Sequence, residues 1–177
     1  KRQLEWFTPT FWKFVLMNSM KIGGINVLPS KDNSPSYIPY NDRFIMGGNG
    51  IPYGNVLRGY DDNRVGPLTA SGNPIGGNTL VKFSTEFRVP FAENPVVYGM
   101  IFAEMGNVWS SSDLMERLSL PRSGPLDLKR SVGVGVRFFM PMIGMLGFDF
   151  ARGFDRVDNN GKFKPEWKTT LTFGQQF

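Results

Sequence analysis

The sequence predicts an all-β fold, a transmembrane antiparallel β-barrel, and three observations carry that expectation. Apolar and polar residues alternate with period two through several segments of strand length. Aromatic residues make up 14% of the 177-residue chain, with 16 Phe, beside 21 Gly; this suits strands with aromatic girdles and tight turns. The connections between segments run alternately long and short, as in outer-membrane barrels with long external loops and short periplasmic turns. No apolar run reaches the ~18 residues that a membrane-crossing helix needs.

The elements follow in order. Phe14 to Ile25 reads as a strand, with Leu16, Met20 and Ile22 on one parity and Ser19, Lys21 and Gly23 on the other. Met17 falls on the polar parity and breaks the pattern. Residues 26 to 41, with Pro29, Pro35 and Pro39 among Ser, Asp and Asn, form a connection. A short strand is expected at Asp42 to Gly48, then a Gly/Asn/Pro-rich loop from about Asn49 to Asn78. Thr79 to Val89 is the cleanest strand, with Val81, Phe83, Thr85, Phe87 and Val89 facing away from Lys82, Ser84, Glu86 and Arg88. Pro90 to Pro95 reads as a tight turn and Val96 to Trp109 as the next strand. Ser110 to Lys129 is a second long loop.

Arg130 to Met140 sets Val132, Val134, Val136 and Phe138 against Gly133, Gly135 and Arg137. After the turn at Pro141 to Gly144, Met145 to Phe154 sets Leu146, Phe148 and Phe150 against Gly147, Asp149 and Ala151. Asp155 to Lys164 is a loop, and Glu166 to Phe177 is a final strand ending on an aromatic residue. The connection at 26 to 41 conflicts with the alternation, because it is long where a short turn belongs. Seven strands are too few and too odd in number to close a typical bacterial barrel, so further N-terminal strands are expected. The opening Lys1-Arg2-Gln3, without Met or signal peptide, likewise reads as a fragment or processed chain.

Composition excludes several chemistries. With no His and no Cys, the chain lacks the commonest general base, the commonest metal ligand, disulfides and thiolate zinc sites. No enzyme, no cofactor and no metal site is therefore expected. The net charge of +5 is spread over singly placed Lys and Arg, which points to basic lumen and loop residues and to no nucleic-acid groove. Gly47-Gly48-Asn49-Gly50 does not continue into a phosphate-cradling pattern, and Asp158-Asn159-Asn160-Gly161 lacks the acids of a calcium loop. Glu86 and Glu104 mimic a glycosidase pair, but no recognisable nucleophile or base accompanies them.

One constellation stands out: Val56-Leu57-Arg58-Gly59-Tyr60 in the long loop, with Glu86 and Glu104 on strand positions that alternation points the same way. Taken alone, Arg58 reads as a solvated loop-tip residue and the acids as ordinary lumen residues. A guanidinium nevertheless has five fixed donors, enough to bridge two carboxylates. Gly59 allows a sharp turn, and Tyr60 can pack and hydrogen-bond at a wall.

These residues resemble the BamA-type barrel-assembly superfamily over nearly the whole chain. The resemblance rests on Phe44 to Gly48 leading into Val56 to Tyr60 and Val65-Gly66-Pro67, and on Gly76-Gly77-Asn78 before Phe83 to Pro90. It continues in Phe102 to Trp109, Gly133 to Arg137, the Pro141 turn and Phe148 to Ala151. It implies that residues 1 to 177 are the C-terminal part of a sixteen-stranded barrel in the bacterial outer membrane, without the family's N-terminal strands and periplasmic domains. It also implies that the loop at about 49 to 78 folds inward. Arg58, with Gly59 and Tyr60 beside it, would latch onto Glu86 and Glu104, with Asp149 a nearby inward acid; the family more often has Asp at position 104.

The implied function is folding and insertion of outer-membrane proteins through a weak lateral seam. Leu171, Phe173, Gly174 and Phe177 would form the seam strand, where Gly174 weakens pairing; on the residues alone this is equally the last strand of any barrel. Implied partners are unfolded outer-membrane protein clients, periplasmic lipoprotein subunits of a BAM-type complex, and outer-membrane lipid and lipopolysaccharide. A TamA-like paralogue, a two-partner secretion pore or a passive porin remain alternatives.

Overall fold

In a computed structural model of the chain, residues 1–27, 38–50, 54–69, 71–110, 124, 127–142, 144–156 and 164–173 are described. They form one seven-stranded antiparallel sheet in which every strand pairs with its sequence neighbours. The strands are β1 (Arg2–Pro9), β2 (Val15–Gly24), β3 (Thr79–Glu93), β4 (Val96–Trp109), β5 (Lys129–Met140), β6 (Gly144–Gly153) and β7 (Trp167–Phe173). A single 3-10 turn at Tyr40–Asp42 is the only helical element among the described residues.

The strand count matches the sequence expectation, but the membership differs. Residues 42 to 48 are not a strand of the sheet; Phe44, Met46 and Gly48 make only isolated bridges within the loop. Two glycines with positive φ, Gly47 and Gly48, break the extended run that the apolar residues suggested. In exchange, Arg2–Pro9 is a full strand, paired from Arg2↔Ile22 to Pro9↔Val15. Its pattern was obscured because Trp6 and Phe7 place aromatics on both parities.

This exchange removes the conflict at 26 to 41. Residues 25 to 78 are one connection, from the end of β2 to the start of β3. Connections at 10–14, 94–95 and 141–143 are then short, and those at 25–78, 110–128 and 154–166 are long. In a meander successive connections alternate ends, so all the long ones share one end, the external end of an outer-membrane barrel.

Pro90 does not end β3, which runs on to Glu93 with a register shift between Pro90 and Ala92. A proline lacking its N–H is tolerated at such an irregularity. Beyond it the Phe91 ring lies over β4, where a Cβ on Gly99 would stand 2.8 Å from it.

The two faces have opposite character. Ile101, Val132, Val134, Phe148, Phe150 and Leu171 stand exposed on one face. The other holds Lys82, Ser84, Glu86 and Glu104 and is covered by the loop. A water-soluble sandwich buries its apolar face; here the apolar face is the uncovered one, as a lipid-facing wall requires. Met17 belongs to the covered face, where it is buried.

Candidate functional site

The covering loop has a small core of its own. Met46, Leu57, Tyr60 and Val65 are buried against Leu80 of β3 and Val108 of β4, with Phe44 packed beside them. Backbone bridges Phe44↔Gly77, Met46↔Val65 and Gly48↔Leu57 hold the loop as a layered strap across the sheet. Burial of these side chains, each contributing roughly 1.5–3 kcal/mol, places the tip 57–61 against the wall.

At that tip Gly59 has φ +85 and lies flat on β6: a Cβ there would stand 2.8 Å from the Gly153 nitrogen. The approach is reciprocal, because a Cβ on Gly153 would stand 2.7 Å from the Gly59 carbonyl oxygen. Two glycines facing each other allow backbone to touch backbone and so aim the preceding side chain inward.

That side chain is Arg58, only 3% exposed. Its Nη2 donates to Glu86 Oε1 at 2.7 Å and to Glu104 Oε1 at 2.8 Å. Its Nη1 is 3.6 Å from Asp149 Oδ1. Its backbone N–H donates to Glu104 Oε2 at 2.8 Å, and the guanidinium lies 3.5 Å from the centre of the Phe102 ring. Glu104 is thus held by both the side chain and the main chain of one residue, and the longer carboxylate reaches normal pairing distance. The structure brings Arg58, Glu86, Glu104 and Asp149 together on the inner face.

The wall acids also have wall cations. Arg88 grips Glu86 at 2.7 and 2.9 Å, Lys82 reaches Glu104 at 2.9 Å, and Arg137 takes Asp149 through both oxygens at 2.8 and 2.7 Å. Ser84 adds a hydroxyl bond to Glu104 at 3.2 Å. The wall is therefore three ion pairs, and Arg58 is a fourth cation shared among them. Lys82, Arg88 and Arg137 lay on the polar parity in the sequence, but their pairing is cross-strand or along-strand geometry that parity alone does not give.

Glycines make the room. A Cβ on Gly133 would stand 2.6 Å from the Phe102 ring, and one on Gly147 2.6 Å from the Arg137 guanidinium carbon. A Cβ on Gly135 would collide with Asp149 Oδ1. The inward glycines of β5 and β6 are the space in which the acid, its arginine and the aromatic floor sit.

Two further anchors hold the tip nearer the long-loop end. The Tyr60 hydroxyl donates to the Arg130 carbonyl at 2.7 Å and accepts from the Asp155 N–H at 3.3 Å. Burial raises the phenol's pKa, outweighing its hydrogen bonds to the Asp155 and Arg130 main chain, so the group remains a donor. Asp61, unmarked in the sequence, pairs with Arg156 at 2.9 Å and with Lys168 of β7. Burial alone would raise its carboxyl, but Lys168 and Arg156 outweigh that and hold it below the ordinary value. Arg156 also reaches Glu166 at 3.0 Å.

Beside the latch a cavity of about 410 Å³ is lined by Glu5, Lys21, Lys82, Arg88, Tyr98 and Arg137 among others. Among the described residues no group of His, Cys, Asp or Glu is arranged to hold a metal ion. In the last strand, Leu171 is exposed on the apolar face and pairs with Phe148, while Phe173 pairs with Leu146. Gly174 and Phe177, like the 158–161 turn, lie outside the described residues.

A family model described as the Omp85 superfamily domain matches residues 2–177. Among solved structures, the crystal structure of BamA from Haemophilus ducreyi lacking POTRA domains 1-3 superposes with a TM-score of 0.72 at 19% sequence identity. The match covers 96% of this chain and 34% of that one, so the chain spans about a third of that structure's length. At that identity the likeness is one of fold. No curated protein matches the sequence.

Proposed function

The chain belongs to the Omp85 superfamily and is part of a β-barrel of the bacterial outer membrane, and from this we propose that it is the C-terminal part of a factor that folds and inserts other outer-membrane β-barrels. The observation that carries the proposal is the buried latch: Arg58, delivered by a long external loop, bonded to Glu86 and Glu104 inside the barrel. A machine whose wall must open at one seam needs the rest of the wall braced, and a strap pinned to β3, β4 and β6 by ion pairs supplies that brace.

The proposed role involves no covalent chemistry. Client strands gain stability by burying apolar faces in lipid while satisfying every backbone hydrogen bond, and the factor lowers the barrier by offering a strand edge for pairing. In this proposal β7, continued through Gly174 to Phe177, is the seam strand. The clients are unfolded outer-membrane proteins, and periplasmic lipoprotein subunits of a BAM-type complex assist.

The test replaces the wild-type protein in cells with full-length protein carrying Arg58→Ala. The loop is expected to become protease-sensitive between residues 43 and 78, and many unrelated barrels should decline together in the outer-membrane proteome. Loss of a single secreted polypeptide would favour a secretion pore, and loss of one nutrient uptake a porin. A loop as resistant as in wild type would refute the latch.

A further inference from the structure

The outer face carries a charge that the assembly role does not use. Arg152 is the penultimate residue of β6, flanked on β5 by Val132 and on β7 by Trp167. Alternation along β6 places it with the exposed Phe148 and Phe150 and opposite the buried Asp149 and Ala151.

No hydrogen bond or ion pair reaches its guanidinium among the described residues, and Nε is enclosed without a partner. The same-face neighbours on β5, β6 and β7 are Arg130, Val132, Val134, Phe150, Trp167 and Thr169, none of them acidic. The nearest carboxylate along the chain, Asp155, is held by Arg130 at 2.9 and 3.1 Å. Arg58, Arg88, Arg130, Arg137 and Arg156 each have a carboxylate partner. An uncompensated guanidinium on a lipid-facing surface is costly unless something in the membrane supplies the counter-charge.

The level in the membrane says what that is. The Phe150 and Trp167 rings stack with centroids 4.7 Å apart at an interplanar angle of 7°, on the face turned to lipid. Aromatics at the end of a barrel's apolar band mark the interface with the headgroups. Arg152 stands one same-face step beyond Phe150, toward the long-loop end, and so at headgroup depth in the outer leaflet. A guanidinium there matches phosphate geometry, with paired donors in a fixed fork.

We propose that Arg152 docks the phosphate of an outer-leaflet glycolipid, whose apolar part lies along the Phe150–Trp167 stack. The inference depends on the orientation of the sheet in the membrane and not on the assembly role. A lipid held here would sit one strand from β7.

Full-length protein purified from outer membranes in mild detergent provides the test, with co-purifying phosphorylated glycolipid counted by mass spectrometry. Arg152→Gln is expected to lower the retained lipid about tenfold, the loss of one charge-assisted phosphate contact, while Arg152→Lys, which keeps the charge without the fork, falls between Arg152→Gln and wild type. The folded band on unheated gels checks that both variants form barrels. After reconstitution, vesicles bearing the bisphosphorylated glycolipid should displace the co-purified lipid, and vesicles bearing its dephosphorylated form should not. Equal retention in Arg152→Gln, or equal behaviour of the dephosphorylated lipid, would overturn the proposal. Displacement of the lipid by millimolar inorganic phosphate would do so as well, by showing a free-anion site.

Discussion

The loop is held to the wall at two depths, and the two anchors are built on different principles. At the deep anchor Arg58 and its acids are 4%, 9%, 1% and 0% exposed in their side chains. At the outer anchor Asp61 is 33% exposed and its partners Arg156 and Lys168 are 16% and 29% exposed. Desolvation makes the deep contacts unforgiving, because a buried charge that loses its partner has no water to replace it. Partial exposure makes the outer contacts adjustable and weak. The deep anchor fixes where the loop sits; the outer anchor ties that position to β7.

The deep anchor is also asymmetric. Four cations, Arg58, Lys82, Arg88 and Arg137, face three carboxylates. Removing Arg58 leaves three against three, each acid still paired on the wall. Removing the Glu104 charge leaves four against two, with one amide oxygen in place of two carboxylate oxygens to serve Lys82, the Arg58 guanidinium and the Arg58 main-chain N–H. Glu104→Gln is therefore expected to give the largest effect, destabilising the barrel by about 3–5 kcal/mol. Arg58→Ala should free the loop while sparing the barrel. Comparing the temperature at which each variant loses its folded band on gels checks the order. An Arg58→Ala barrel as heat-labile as Glu104→Gln would show that the wall is not self-compensated.

Between the two anchors lies Tyr60, whose hydroxyl serves both the Arg130 carbonyl and the Asp155 N–H. Tyr60→Phe keeps the packing in the loop core and removes only these bonds, an expected cost of about 1–3 kcal/mol because the carbonyl and N–H lose their partner. Protease cleavage of the loop should quicken relative to wild type but stay slower than in Arg58→Ala. Cleavage faster than in Arg58→Ala would move the main restraint from the ion pairs to this phenol.

The same contrast explains what was legible in the sequence. Period-two alternation reports which face a residue takes, so β3 to β7 and the inward position of Glu86, Glu104 and Asp149 could be read directly. Arg58 became readable only through the Leu57-Arg58-Gly59-Tyr60 pattern, because a loop has no period. Strand β1 escaped because Trp6 and Phe7 blur its alternation, and 42 to 48 imitated a strand because its apolar residues pack within the loop. The partners of Asp61 lie 95 and 107 positions away in sequence, in a connection and a strand that only the folded register brings together. The inward glycines were visible as letters, but their purpose is the side chain that fills the space each leaves.

The weakest expected effect is the most informative about coupling. Asp61→Asn keeps the shape of the tip and removes a charge shared by Arg156 and Lys168, so its stability cost should be about 1 kcal/mol or less, as for a solvent-screened pair. Arg156 retains Glu166, which further limits the loss. Yet of the loop's ionic contacts described here, this is the one that reaches β7, the strand proposed to form the seam. If seating of the loop and behaviour of the seam are coupled, hydrogen exchange of the β7 amides should accelerate in Asp61→Asn while those of β3 and β4 stay unchanged. Equal exchange in all three strands would reduce Asp61 to a surface pair and leave the deep anchor alone to hold the loop.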